Sequence, residues 1–283
     1  MSEYQYYEFL AIDRPLSPGQ MAELRALSTR AEITPTSFTN TYQWGNFGGD
    51  PAAMVEEYFD AHLYLTNWGT RQLMFRLPAR LLSLETAQVY CWAEPAEAYL
   101  AGEHVVLDFT SDTEDDDTFD RGGEGWLGSI VPVREQLATG DFRALYLAWL
   151  AAIQTGEFGD QANEPPVPAG LGELTGALES FADFLRVDPY LIAVAAASSA
   201  KAASAAADAA ELATWVAGLP VADKDQALIA LLGGDGLTVG AELRQRFRLD
   251  HGQLNGVASG GGSGPRTVGE LLDAAEAMRG QAG

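Results

Sequence analysis

Gly123-Glu124-Gly125-Trp126-Leu127-Gly128 has the G-x-G-x-x-G spacing that can bring a pyrophosphate against backbone N–H groups. That chemistry needs the glycines between a strand and the start of a helix. Here they follow a run of carboxylates that repels phosphate, so the expectation is a Gly-bounded turn around a buried Trp126. The run itself comprises Asp112, Glu114, Asp115, Asp116, Asp117, Asp120 and Glu124. Acids at 112, 114 and 116 imitate the opening of a calcium loop. Its sixth position, where the sharp turn needs Gly, is Asp117, and its twelfth, where a bidentate Glu belongs, is Gly123. The run reads as a solvated acidic loop or as a docking surface for a basic partner, rather than as a metal site. Ser198-Ser199-Ala200-Lys201 has the S-x-x-K spacing of acylating enzymes, without the S-D-N and K-T-G segments that complete such a site. His62, His104 and His251 have no second ligand at metal spacing. Cys91 has no base beside it in sequence and reads as an inert buried thiol. No catalytic motif, metal set or cofactor motif follows from the residues.

The aromatic loops are more informative. Tyr42-Gln43-Trp44-Gly45-Asn46-Phe47-Gly48-Gly49-Asp50 mixes aromatics with glycines, and Asn67-Trp68-Gly69-Thr70-Arg71 echoes it. Glycine lets a backbone approach a partner closely, and tryptophan is a common energetic anchor of interfaces. Arg71, Arg76 and Arg80 follow. Trp44, Trp68 and Arg71 are therefore the candidate partner-binding residues, together with Asp115, Asp116 and Asp117 of the acidic run. The plainer reading is that these aromatics complete a core. A dispersed catalytic site would have to bring together His62, His104, Arg71 or Asp108.

These residues must be positioned by recognisable elements. Residues 4–12 read as a strand, and Ser17-Pro18-Gly19-Gln20 opens a helix with a capping box. Residues 33–43 read as extended, and Asp50-Pro51 starts a second helix. Residues 62–67 and 71–77 form a hairpin across Trp68-Gly69-Thr70, residues 80–93 a helix or irregular segment, and 104–110 a strand. Helical periodicity takes over with 133–139 and 142–155. Glu164-Pro165-Pro166-Val167-Pro168 reads as a stiff linker. Beyond it, Leu171, Leu174, Leu178, Phe181 and Leu185 make one helical stripe. Asp188-Pro189 caps a helix that the Ala-rich residues 193–217 continue, and 221–232 and 238–249 read as two more helices. A Gly/Ser stretch over 252–265 and a capping box at Thr267–Glu270 close the chain. A helix that short must dock to be stable. The expected class is α+β: an N-terminal mixed α/β sheet domain over 1–160, an all-α helical domain over 169–250 and a flexible tail over 251–283 carrying a short terminal helix.

Charge restricts the partners. Forty Asp and Glu against seventeen Lys and Arg leave the chain at −23. Direct nucleic-acid binding is disfavoured, because each phosphate contact needs a local cation, and a protein with a basic surface is favoured. The 47% hydrophobic content supports a real core, and a lone cysteine fits a reducing cytoplasm better than a disulfide scaffold. The Ala- and Ser-rich stretch from Pro189 to Ala207, interrupted by Lys201, is too weakly apolar to enter a membrane.

Thr34-Pro35-Thr36-Ser37-Phe38, Tyr42-Gln43-Trp44-Gly45, Asn67-Trp68-Gly69-Thr70-Arg71, Arg76-Leu77-Pro78 and Glu164-Pro165-Pro166-Val167-Pro168-Ala169-Gly170-Leu171 resemble segments of a widespread family of uncharacterised bacterial proteins. The family has no assigned activity, so the resemblance carries no catalytic residue. Members often continue into a basic, Ala-rich helical arm, and the resemblance implies that such an arm balances the acidic body. The functional expectation is a non-catalytic acidic interaction or adaptor module. The alternatives are the dispersed enzyme site and an acidic mimic of nucleic acid, which needs carboxylates along one elongated face.

Overall fold

A computed structural model describes residues 4–45, 47–92, 94–113, 123–156, 158–201, 205–233, 236–251 and 266–282. Asp115, Asp116 and Asp117, and the Gly/Ser stretch over 252–265, lie outside them. Seven antiparallel strands form one sheet. They are β1 (Gln5–Leu10), β2 (Glu32–Ile33), β3 (Ser37–Tyr42), β4 (Ala61–Thr66), β5 (Arg71–Pro78), β6 (Ala96–Ala101) and β7 (His104–Ser111), in the order β2-β3-β1-β4-β5-β7-β6. The class is α+β, with the sheet in the N-terminal half and helices dominating the C-terminal half.

Both faces of the sheet are covered. Strand alternation sends Phe9, Phe38, Met74 and Val106 to one face, against Leu24 of α1 (Pro18–Leu27), Met54 and Val55 of α2 (Pro51–Glu57), and Phe59. Both helices start as their sequences dictate. The Ser17 hydroxyl accepts from the Gln20 N–H and the Gln20 side chain accepts from the Ser17 N–H, while Asp50 caps Ala52 and Ala53. The opposite face carries Leu63, Leu73, Phe75, Leu77, Val105, Leu107 and Phe109. It packs on α4 (Trp126–Ile130), α5 (Pro132–Ala138), α6 (Arg143–Ile153), α7 (Gly176–Phe184) and α8 (Pro189–Ser198), with the short α3 (Leu84–Gln88) at its margin. Apolar residues on both sides of the Pro-rich segment belong to this one cluster. The segment itself is bonded down: the Tyr90 hydroxyl donates to the Pro166 carbonyl at 2.8 Å and the Ser199 hydroxyl to the Pro168 carbonyl at 2.7 Å.

Two local expectations change, and one strand lies where none was expected. Ala96–Ala101 is a strand, although Ala96-Glu97-Ala98 favours a helix, because pairing with β7 buries Ala96 and Ala98. Leu171 and Leu174 precede α7 instead of extending its stripe. The Ala-rich helix is not continuous: α8 ends at Ser198, where Ser199 turns to extended backbone and accepts the Leu171 N–H. Three further helices follow it, α9 (Ala205–Gly218), α10 (Val221–Leu232) and α11 (Gly236–Asp250). The terminal α12 (Val268–Ala282) docks on α8, burying Val268, Leu271 and Ala275, with the Thr267–Glu270 capping box in place.

Two buried ionic knots fasten this assembly. At one end of the sheet, Asp60 accepts from the Ile12 and Asp13 N–H groups at 2.7 and 2.9 Å and pairs with Arg76 at 2.8 Å. Arg134 of α5 grips Asp13 through both terminal nitrogens and donates to the Arg76 carbonyl at 2.7 Å. At the helical side, Glu164 accepts from Tyr146 and from Arg266 through both carboxylate oxygens, at 2.7 and 2.8 Å from the latter, joining α6, the Pro-rich segment and the start of α12. Removing one partner of such a buried set leaves a charge uncompensated. Asp60→Ala is expected to lower unfolding free energy by about 3–5 kcal/mol in a denaturant titration. A loss below about 1 kcal/mol would show that solvent, rather than this carboxylate, satisfies Arg76 and Arg134.

Candidate functional site

The sequence-predicted aromatic loops meet at one end of the sheet. Gln5, at the start of β1, pairs with Tyr42 on one side and Thr66 on the other. Trp44 lies two residues beyond Tyr42 and Trp68 two beyond Thr66, so their loops leave backbone positions two strands apart, about 10 Å. The Gln5 side-chain amide holds the first loop by donating to the Gly45 carbonyl at 3.1 Å. Trp44 is 69% exposed and Trp68 46% exposed. The Arg30 guanidinium sits 5.0 Å from the Trp44 ring, an internal example of the cation–indole contact this surface can make.

The Trp68 turn is held from beneath. Gly69 has φ +99° and lies against the Thr113 carbonyl, where a Cβ would collide with backbone. Its own carbonyl accepts from Arg186 at 2.9 Å, and Arg186 also donates to the carbonyl and hydroxyl of Ser111. Arg186 holds φ 55°, a left-handed conformation that normally selects glycine after a helix. Sequence reasoning did not single it out, since nothing in the sequence places it beside strands β5 and β7.

Arg71 stands elsewhere than expected. It is 3% exposed, and it donates to the Asp183 and Phe184 carbonyls at 3.1 and 3.3 Å, with its guanidinium 5.1 Å from the Trp126 ring. It ties the sheet to the C-terminus of α7, where helix carbonyls lack intrahelical partners. The physical reason is strand alternation, which puts Arg71 on the face of Leu73, Phe75 and Leu77. Trp126 itself is half-buried against Phe184, at a ring separation of 5.4 Å.

A cleft of about 350 Å³ opens at this same end, lined by Glu94, Thr110, Ser111, Asp112, Gln154, Thr155 and Arg186. Glu94 and Asp112 are the carboxylates of its lining, and Asp108 and Glu97 stand opposite each other on the neighbouring β7–β6 pair. Burial pushes the Asp108 carboxyl up, the Gln72 amide at 2.9 Å counters this, and Glu97 and Glu94 raise it further. Burial likewise raises the Tyr64 hydroxyl, and Asp112 adds to that rise. The chain enters its acidic run at Asp112 and leaves it at Gly123, which packs on the Tyr6 ring. This end of the sheet thus carries exposed indoles after β3 and in the β4–β5 turn and carboxylates toward the β7–β6 edge, groups suited to ammonium and guanidinium partners.

The residues of a dispersed catalytic centre are not assembled. His104 pairs with Pro78 and Arg71 with Ser111, at opposite ends of β7. His62 and Asp108 flank Met74 in one cross-strand row. His62 is fully buried, stacked on Phe9 at 3.9 Å, with its Nδ1 on the Glu8 carbonyl at 3.0 Å and its Nε2 without a partner. Cys91 is buried in the core, and burial pushes its thiol up. Among the described residues no group of three or more His, Cys, Asp or Glu is arranged to hold a metal ion. A second, polar cleft of about 280 Å³ lies at the far end of the sheet. Of its lining, Arg76 pairs with Asp60, and Asp13 is held by Arg134.

Burial holds His62 neutral, lowering its pKa from 6.5 to about 3, and the Glu8 contact only partly opposes this. The unfolded chain takes up this proton near 6.5 and the folded chain only near 3. The contribution is therefore whole above pH 6.5 and shrinks as pH falls, by about 1.4 kcal/mol per unit inside that window. Urea titrations from pH 7 to about pH 5 should show wild type losing stability relative to His62→Leu, and parallel curves would exclude a neutral buried imidazole. No family model, curated protein or solved structure matches this chain, so its site is read from geometry alone.

Proposed function

We propose that this chain is a non-catalytic, acidic protein-interaction module of the bacterial cytoplasm. Its contact face is the Trp-loop end of the sheet, and its partner is a protein with a basic surface. The observation that carries this reading is the exposure of Trp44 and Trp68 at the end of the sheet that also carries Asp112 and, toward its β6 edge, Glu94, Glu97 and Asp108. An indole face attracts Arg and Lys through its quadrupole, and carboxylates pair with the same groups. A net charge of −23 draws cationic surfaces from a distance and slows the approach of phosphate polymers. Asp115, Asp116 and Asp117, outside the described residues, stay contact candidates on their sequence alone. Arg71 serves it indirectly, by anchoring β5 beneath the Trp68 turn.

Calorimetry with a short Arg- and Lys-rich peptide tests the reading directly. Binding should weaken as salt rises, and Trp44→Ala/Trp68→Ala should lower affinity about tenfold or more. The melting temperature should stay unchanged, since both rings are exposed. Equal binding by the double variant, or equal binding of a neutral peptide of the same length, would reject this face as the contact.

A further inference from the structure

Helix α10 is built inside out. Ala227 and Ala230 are among its more enclosed residues, whereas Val221, Leu228, Ile229, Leu231 and Leu232 are 71, 59, 70, 51 and 84% exposed. At 100° per residue, Val221, Leu228 and Leu232 share one line of the helix, with Leu231 and Ile229 at its edges. The opposite side packs on α11 and is locked there by Asp223 and Arg246 at 2.8 Å. The aliphatic stripe therefore faces away from the chain's own core.

We propose that this stripe is the contact of a homodimer, in which α10 of one copy lies against α10 of a second copy of this chain. Two features select a second copy. The first is charge. With Asp223 neutralised by Arg246, two charged groups of opposite sign lie within the stripe: Lys224, between Leu228 and Leu231, whose ammonium also donates to the Ala217 carbonyl at 2.8 Å, and Asp225, between Leu232 and Ile229. A two-fold contact meets the same patch on both partners, so a stripe holding one group of each sign is self-complementary, with Lys224 of one copy available to Asp225 of the other. It is also a place where two bodies of −23 can approach with little local repulsion. A lipid surface fits less well, because interfacial helices carry Lys and Arg on the polar face, where α10 has Asp223 and Gln226. The second is area. Five aliphatic side chains, each burying roughly 60–80 Å² in a contact that covers them in part, give on the order of 300–400 Å² of apolar surface. A standard-size interface covers about 800 Å² per partner, a little over half of it apolar, so the stripe supplies most of the apolar part of a modest one. The dimer is accordingly weak and reversible, in the micromolar range.

This contact lies on the helices and not at the Trp-loop end, and salt acts on it in the opposite sense. Screening removes repulsion between the acidic bodies and leaves the apolar contact intact, so the dimer tightens with salt. Sedimentation velocity on the full chain, from about 5 to about 200 μM in about 50 and about 500 mM NaCl, reads this out. The expected result is a monomer–dimer equilibrium at least about fivefold tighter at high salt. Leu228→Glu/Leu232→Glu should be monomeric throughout with an unchanged circular-dichroism melt, and the milder Ile229→Ser/Leu232→Ser should be weakened in the same direction. Trp44→Ala/Trp68→Ala should dimerise like wild type. A monomer at every concentration, a dimer that survives both stripe variants, or a dimer that salt loosens would each overturn the proposal.

Discussion

Fifteen of the seventeen cationic side chains of this chain are arginines, and the structure turns many of them inward onto backbone carbonyl oxygens. Arg71 holds the end of α7, Arg186 holds the Trp68 turn and the end of β7, Arg143 holds the Gly170 and Glu173 carbonyls, and Arg134 holds the Arg76 carbonyl. A guanidinium offers five donors in a fixed fork, so one side chain can join segments that are remote in sequence. Lysine, a compact charge on a flexible stem, joins them less well, and the chain has only Lys201 and Lys224. With so much of its positive charge drawn into such internal contacts, the carboxylate excess is left at the surface. The acidity of the outside and the rigidity of the inside are then two consequences of one allocation.

This arrangement accounts for how the candidate face is supported. The Trp68 turn has Arg186 beneath it and the Thr113 carbonyl against Gly69, while Arg71 anchors the first residue of β5 to the helical layer. Trp44, with Arg30 on one face of its ring, and Trp68 stay exposed while the Gln5 amide secures the first loop and Arg186 the second. Exposed anchors on a fixed support lose less entropy on binding than anchors on loose loops. The face and the α10 stripe differ in kind. One is aromatic and acidic, the other aliphatic and close to neutral, so they answer differently to ionic strength.

Much of the local structure was legible in the sequence where short-range chemistry decides it. Ser17-Pro18, Asp50-Pro51, Asp188-Pro189 and Thr267–Glu270 announce helix starts through caps that depend on neighbouring residues alone, and each start is present. The β4–β5 hairpin was legible from Trp68-Gly69-Thr70. What stayed hidden depends on distant partners. Strand β6 exists because β7 pairs with it, against the helical preference of its alanines. The break after Ser198 exists because Ser199 bonds Pro168 and Leu171. The burial of Arg71 had a signal, the two-residue alternation shared with Leu73, Phe75 and Leu77, but its charge pointed toward the surface. The outward face of α10 had none, since only the position of α11 decides which side of that helix is covered.

The six tryptophans offer the most direct check on the central claim that the Trp-loop end recognises cationic chemistry. Each indole N–H gives its own proton–nitrogen correlation in a labelled sample. On adding a short Arg- and Lys-rich peptide, the account predicts shifts for the indoles of Trp44 and Trp68, while those of Trp149, in the core, and Trp215, bonded to Asp250, stay in place. Shifts confined to Trp92 or Trp215, with Trp44 and Trp68 unmoved, would contradict it.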